Sequence, residues 1–265
     1  MANSISAPRA IPRASPSRLP YLGLGGYTGQ RWGLDRLTEE DGMAQGFDRI
    51  TAGISCFLLR GTDGFVLVDA GPRSARRRLL RGLEAAGCGR GDLRLVLITH
   101  GDSDHIGSCA YLRETYGAKL AAHPLESRAI ETGDMRANRS TSPDRAPWIF
   151  RALLPVAAKL GRPRPFTTDL FLDDGQSLAE YGIDASVLHL PGHTKGSVAV
   201  LTGDGDLFCG DLFWSYRKPG LHLLIDDVPA ARASIERLRT LPIATIHPAH
   251  GKAFAASVLN QEFPA

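Results

Sequence analysis

Apolar residues along this chain fall into short continuous runs, and these alternate with stretches in which they recur at helical spacing. Residues 93–98 are nearly all apolar, which is typical of a strand covered on both faces. Strands are predicted at residues 54–59, 65–68, 93–98, 118–122, 168–172, 186–190, 198–202, 207–209 and 244–246. Helices are predicted from Pro72 to Ala86 with Gly87 as the stop, after Gly107 as far as Tyr116, and at residues 148–160 and 230–238.

This interleaving of strands and helices predicts an α/β protein. No fixed-period repeat and no clear linker divides the chain, so residues 21–265 are expected to form a single domain. Residues 1–20 are rich in proline and serine, and they are expected to form a disordered arm.

The composition narrows the class of protein. The chain has 265 residues, of which 43% are hydrophobic and 22% charged, so a core without disulfides is feasible. The longest apolar runs are far too short for a membrane span, and the N-terminus lacks the apolar segment of a secretory signal. Four cysteines without regular spacing are typical of a reduced compartment, so a cytoplasmic location is expected.

The charge of the chain does not indicate a nucleic-acid partner. The formal net charge is +3, and 26 of the 31 basic residues are arginine. These arginines are spread along the chain, and the densest group, at residues 73–81, contains no aromatic residue. A solvated helix face explains that group, so no nucleic-acid or membrane partner is expected.

Residues that can bind a metal are concentrated directly after the strand at 93–98. His100, Asp102, Asp104 and His105 lie within six residues, and alternate residues of an extended segment point to the same side. Imidazole and carboxylate are ligands of zinc, iron and manganese. A helix cap would account for one aspartate but not for two histidines, so the segment predicts a metal site.

Three further segments each place one such residue at or near a strand end. His193 lies in a glycine-flanked turn, Asp211 follows the strand at 207–209, and His250 lies in a turn near the C-terminus. A single histidine or aspartate in a loop is usually solvated, but together these three strengthen the prediction of a metal site.

The motifs VDAG (68–71), THGDSDH (99–105), PGHT (191–194), GD (210–211) and HG (250–251) occur in an order that resembles the metallo-β-lactamase-fold hydrolases. The resemblance covers roughly residues 50–252. It implies a four-layer αββα sandwich, in which two mixed β-sheets pack face to face with helices outside. It also implies an active site built from loops at one edge of the sandwich.

The resemblance assigns roles to individual residues. It implies a first metal ion held by His100, Asp102 and His193, a second held by Asp104, His105 and His250, and Asp211 as a bridge between them. Asp69 would orient a ligand imidazole. Asp104 and Asp211 would be the catalytic residues, and Asp104 would also orient the nucleophile and pass a proton to the leaving group.

This chain departs from the usual motif of the family, H-x-H-x-D-H, because Asp102 stands at the second histidine. Two divalent metal ions are expected, most commonly zinc. Iron or manganese are the alternatives because a carboxylate is a harder ligand than an imidazole. The remaining histidines match no ligand position of the family and are expected either to have structural roles or to support a metal ligand: His123, His189, His222 and His247.

The resemblance implies a hydrolase that uses a metal-bridging hydroxide. Two dications, three carboxylates and a hydroxide leave no net charge, which favours an ester, thioester or lactone over an anionic phosphodiester. A phosphodiesterase of the same fold and an iron-based redox enzyme or dioxygenase are the alternatives. The expected partner is a small-molecule substrate, and a homodimer is a further hypothesis.

Two segments with aromatic residues are predicted to line the substrate pocket. The apolar helix at 148–160, in a proposed helical cap at 131–165, would cover the cleft with Trp148 and Phe150. The alternative is that this helix packs on a sheet or forms a dimer contact. Trp214 and Tyr216 would add an aromatic edge to the same pocket.

Overall fold

The structure, a computed structural model, describes residues 46–139 and 162–263. The proposed arm at 1–20, the predicted helix at 148–160 with Trp148 and Phe150, and the central part of the proposed cap lie outside the described residues. None of the helices in the described part of the chain has the length and apolar character that a bilayer crossing requires.

The strands of the described residues are short and fall into three sheets. In chain order they are β1 (Phe47–Ala52), β2 (Ile54–Gly61), β3 (Gly64–Val68), β4 (Leu93–Leu97), β5 (Lys119–Ala122), β6 (Leu170–Phe171), β7 (Ala185–His189), β8 (Val198–Thr202), β9 (Asp206–Phe208), β10 (Phe213–Ser215), β11 (Gly220–Leu221), β12 (Thr245–His247), β13 (His250–Gly251) and β14 (Phe254–Ala255).

Helices connect many of these strands. The α-helices are α1 (Arg76–Ala85), α2 (Ser103–Ile106), α3 (Cys109–Tyr116), α4 (Ser127–Thr132), α5 (Val228–Arg239) and α6 (Val258–Glu262). Short 3-10 turns occur at Arg73–Ala75, Pro124–Glu126 and Ala179–Tyr181.

The first sheet has the strand order β1-β2-β3-β4-β5-β6. Its β1-β2 and β2-β3 pairs are antiparallel, and its remaining pairs are parallel. The second sheet, ordered β14-β12-β9-β8-β7, is also mixed because only β12 and β9 pair in parallel. A small third sheet, β11-β10-β13, extends from the loops that follow β9 and β12.

Three apolar cores separate four layers. Alternate residues of β4, together with Ile98, which follows it, show the division. Val96 and Ile98 pack with α1 and α3, whereas Leu95 and Leu97 pack against β7, β8 and β9 of the second sheet. The other face of the second sheet is covered by α5 and α6. The predicted αββα sandwich is therefore confirmed, and the continuous apolar run of β4 reflects burial on both faces.

Two features of the N-terminal half differ from the sequence prediction. Strand β1 was not predicted because its buried Asp48, paired with Arg60, interrupts the apolar alternation. The helix expected between Gly107 and Tyr116 is α3, but a further short helix, α2, precedes Gly107 and is absent from the sequence prediction. Between these two helices, a Cβ at Gly107 would come within 2.3 Å of the Arg73 backbone nitrogen, so the close packing of these two backbone segments requires a glycine.

The four cysteines are all buried and free: Cys56, Cys88, Cys109 and Cys209. Burial raises the pKa of each thiol, and that of Cys88 to about 12. Because the thiolate is the reactive species, we expect the native protein to react very slowly with Ellman's reagent. After denaturation four thiols per chain should react at the rate of free cysteine. Rapid reaction of any thiol in the native protein would contradict this burial.

Candidate metal centre

Loops at the ends of the strands bring the predicted ligands together at one edge of the two large sheets. His100 to His105 follow β4, His193 joins β7 to β8, Asp211 joins β9 to β10, and His250 opens β13. With one addition they form a single group, here named the His/Asp cluster: His100, Asp102, Asp104, His105, His193, Asp211, His222 and His250.

The first half of the cluster consists of three buried side chains. His193 Nε2 lies 3.0 Å from His100 Nε2 and 3.2 Å from Asp102 Oδ2. His100 Nε2 lies 3.5 Å from the same Asp102 oxygen. The carboxylate of Asp102 therefore points into the cluster, towards both imidazoles.

The second half is more open. His250 Nε2 lies 3.3 Å from Asp104 Oδ2 and 3.4 Å from Asp211 Oδ2, and His105 Nε2 lies 3.3 Å from Asp211 Oδ1. The side chain of Asp104 is 38% exposed, whereas that of Asp211 is 3% exposed. Asp104 is therefore the carboxylate of the cluster that a molecule arriving from solvent can reach.

Asp211 lies between the two halves. Its Oδ2 is 3.7 Å from His193 Nε2 and 3.9 Å from His100 Nε2. Burial alone would raise the pKa of Asp211, but the imidazoles of His222, His250 and His105 hold that pKa well below its usual range. The buried carboxylate is therefore stabilised in its charged form by the rings around it.

His222 is a residue of the cluster that the sequence analysis missed. Its Nε2 lies 3.5 Å from Asp211 Oδ2, and its ring centroid is 4.9 Å from that of His193. The sequence predicts for it only a structural role or support of a metal ligand, because it matches no motif and has leucine on both sides. The β10–β11 pairing brings it to the cluster.

The other three unassigned histidines lie apart from the cluster. His247 Nε2 is 2.7 Å from Asp206 Oδ1, and its ring packs on Phe208. His123 and His189 stack on each other, with ring centroids 4.2 Å apart.

Asp69, directly after β3, contacts the imidazole of His105 at Nδ1. Its Oδ2 lies 2.8 Å from His105 Nδ1 and accepts a hydrogen bond from the Thr99 hydroxyl, while Oδ1 accepts from the Thr99 backbone N–H. The residue has a φ of 60°, a conformation that aspartate tolerates better than most side chains. With Nδ1 engaged in this way, His105 presents Nε2 to the cluster.

A second buried carboxylate, Glu126, joins the two loops that carry the first half of the cluster. Its Oε2 accepts hydrogen bonds from the Gly101 N–H and the Asn138 amide, at 2.7 and 2.9 Å. Its Oε1 accepts from the Gly196 N–H and the Thr194 hydroxyl, at 2.9 and 2.7 Å. Sequence analysis missed Glu126 because it lies in neither loop and no local pattern marks it.

Both glycines that bind Glu126 are required by this close approach. A Cβ at residue 101 would lie 3.1 Å from Glu126 Oε2 and 2.8 Å from the Ala129 methyl group, and a Cβ at residue 196 would lie 2.7 Å from Glu126 Oε1. Their small size lets the carboxylate reach the backbone N–H groups.

Arg139 is a third residue that the sequence did not indicate. Its Nη2 donates to Asp102 Oδ2 at 2.5 Å and lies 2.9 Å from His193 Nε2. The side chain is 2% exposed. Although burial raises the pKa of Asp102, Arg139 and His100 hold it well below its usual range.

The two aromatic residues assigned to the pocket lie beside the cluster. The ring centroids of Trp214 and His222 are 6.2 Å apart, and the Tyr216 hydroxyl lies 3.2 Å from His250 Nδ1. Tyr216 is 63% exposed. These two rings form an aromatic edge at the open side of the cluster.

The sequence profile of the metallo-beta-lactamase superfamily matches residues 50–250. This range covers more than half of the chain and includes every residue of the His/Asp cluster. The chain therefore belongs to the metallo-beta-lactamase superfamily.

Two similar proteins are hydroxyacylglutathione hydrolases. One from Aeromonas hydrophila is 41% identical over 85 residues, which are 32% of this chain and 32% of that protein. Another from Shewanella loihica is 30% identical over 172 residues, which are 62% of this chain and 52% of that protein. The chain thus spans about a third of one of these curated relatives and about half of the other.

A solved structure with the same fold is TTHA1623 in a di-iron-bound form. It matches with a TM-score of 0.60 and 28% identity, over 80% of this chain and 94% of that protein.

The residues of the cluster fit the metal ions that the superfamily implies. Metal–nitrogen bonds of about 2.0–2.1 Å place two ligand atoms of a tetrahedral site about 3.3 Å apart, close to the separations of 3.0–3.5 Å within each half. His105 Nε2 and Asp211 Oδ1 are also buried without a hydrogen-bond partner. Since buried polar atoms normally have one, these two atoms are suited to bind a cation.

The geometry of Glu126 predicts that a glutamine cannot replace it. All four of its partners donate, so either orientation of a glutamine amide places its NH₂ against the backbone N–H of Gly101 or Gly196. We expect Glu126→Gln to lower the free energy of unfolding by about 1–3 kcal/mol, measured by urea denaturation. Glu131→Gln, at an exposed position of helix α4, which begins directly after Glu126, is the matched control. Equal stability of the two variants would contradict the assigned network.

Proposed function

We propose that this protein is a metal-dependent hydrolase that cleaves an acyl thioester or a related ester or lactone. The observation that carries the proposal is the His/Asp cluster, in which five imidazoles and three carboxylates meet and buried atoms such as His105 Nε2 and Asp211 Oδ1 have no hydrogen-bond partner. Membership of the metallo-beta-lactamase superfamily and the names of the hydroxyacylglutathione hydrolase relatives support the same chemistry.

His100, Asp102 and His193 would hold one metal ion, Asp104, His105 and His250 would hold a second, and Asp211 would lie between them. Metal ions in such a site polarise a carbonyl oxygen and lower the pKa of a water molecule towards neutrality. Zinc suits this set of nitrogen and oxygen donors, and the di-iron form of the similar structure makes iron a second candidate.

The remaining groups would position the substrate and transfer protons. Asp104, partly exposed at the open side, can accept a proton from the attacking water. Trp214 and Tyr216 offer an apolar edge for an acyl group. A thiolate is a good leaving group because the pKa of a thiol is only about 8.5, so a thioester requires no strong acid in the site.

An uncharged carbonyl group as the reacting electrophile suits the charge of this centre. Three carboxylates offset most of the charge of two dications, which weakens the attraction for a phosphodiester anion. The four free cysteines further support a reducing compartment such as the cytoplasm.

The first test is activity against three substrate classes. We expect the metal-loaded protein to hydrolyse a hydroxyacylglutathione faster than bis(p-nitrophenyl) phosphate, with p-nitrophenyl acetate as the simple ester. Asp211→Asn should lower kcat/KM by about 100-fold or more and reduce the metal content measured by mass spectrometry. Asp204→Asn, on the exposed turn between β8 and β9, is the matched control. Full activity and full metal content in Asp211→Asn would refute the proposed centre.

A second test concerns the orientation of His105. Asp69→Asn keeps the size of the side chain and tolerates a positive φ. It presents an NH₂ donor in place of one acceptor oxygen of Asp69. We expect metal affinity to fall about 10- to 100-fold, measured by competition with a chelator.

Asp206→Asn is the control for that experiment, since it alters an aspartate–histidine contact of similar length, to His247, that lies outside the cluster. An equal loss of metal affinity in both variants would show a general loss of stability instead of a specific effect on His105.

A further inference from the structure

The guanidinium of Arg139 is held inside the first half of the His/Asp cluster by four contacts. Nη1 donates to the backbone carbonyls of His193 and Leu224, at 3.1 and 2.9 Å. Nη2 donates to Asp102 Oδ2 at 2.5 Å and lies 2.9 Å from His193 Nε2. Both terminal nitrogens are therefore engaged within the site, and the side chain is 2% exposed. An arginine anchored in this way has a defined position.

The hydrogen bonds of Nη2 compete with a metal ion for the same two atoms. A metal ion bound to His193 Nε2 and Asp102 Oδ2, which are 3.2 Å apart, would lie about 2.1 Å from each. Arg139 Nη2 already lies within hydrogen-bonding distance of both atoms, at 2.5 and 2.9 Å. In addition, a neutral imidazole nitrogen has one lone pair, which can accept a hydrogen bond or bind a metal ion but not both.

The two halves of the cluster therefore differ in charge compensation. In the first half, the permanent charge of a guanidinium lies against the carboxylate of Asp102. In the second half, the ion pairs of Asp104 and Asp211 within the described residues are with imidazoles only. His105 Nε2 and Asp211 Oδ1 are buried there without a hydrogen-bond partner, as Asp102 Oδ1 is in the first half. The binding free energy of an added cation is more favourable in the second half, because a cation that enters the first half must break charge-assisted hydrogen bonds.

We propose that Arg139 is the resident cation of the first half, so that the protein binds one metal ion tightly through Asp104, His105, Asp211 and His250. A second ion binds to His100, Asp102 and His193 only when Arg139 is displaced. This inference rests on the proposed metal centre, but it concerns the order and number of metal ions and does not depend on the substrate.

The test is the number and affinity of bound metal ions. The full-length protein is stripped with a chelator and titrated with cobalt(II) alone, with absorbance and mass spectrometry as readouts. We expect the wild type to bind one ion tightly and a second about 10- to 100-fold more weakly. Arg139→Met, which keeps the aliphatic stem but removes the charge, should bind two ions with similar affinities.

Arg136→Met is the matched control, because this arginine is exposed and pairs with Asp134 outside the cluster. It should behave as the wild type does. If Arg139→Met does not fold, Arg139→Lys provides a second variant. It retains a positive charge, and it should give an intermediate affinity for the second ion.

The outcomes separate this inference from the proposed function. Two ions bound with equal affinity by the wild type would overturn the role of Arg139, as would a weak second ion in Arg139→Met, and either result would leave the metal centre intact. Binding of no metal by any variant would overturn the centre itself.

Discussion

The concentration of buried charge at the edge of the two sheets is the constraint on which the rest of this structure depends. Asp211 lies within 3.9 Å of five imidazoles, and it is almost completely buried. Carboxylates in such surroundings are costly unless cations compensate them. The loops that follow the strands meet this requirement together, since each contributes one or more imidazoles or carboxylates to the cluster and none could do so alone.

Two further carboxylates, which lie outside the cluster, fix the positions of these loops. Asp69 contacts His105 and Thr99, and Glu126 ties the backbone of residue 101 to that of residue 196. Neither points into the cluster. Their effect is to hold the imidazoles in place before any ligand arrives, so that little ordering accompanies binding.

The cluster is also asymmetric, and Asp102 is the origin of this asymmetry. An imidazole at that position would be neutral and would not attract a guanidinium, whereas a buried carboxylate requires a positive partner. Arg139 supplies one, anchored on the carbonyls of His193 and Leu224. The substitution that distinguishes this chain from the usual motif is therefore accompanied by a compensating residue 37 positions further along the chain.

The sequence by itself determined the αββα class and seven residues of the cluster, because strand periodicity and the ordered motifs are local properties of the chain. It also indicated Asp69, which ends a strand beside the longest apolar run. His222, Glu126 and Arg139 became visible only in the tertiary structure. His222 reaches the cluster through the pairing of β10 with β11, Glu126 through contacts with two distant loops, and Arg139 through a partner in each half of the chain. A lone histidine, glutamate or arginine carries no local signal of such contacts, because their partners lie far away in sequence and are brought close only when the two sheets pack together.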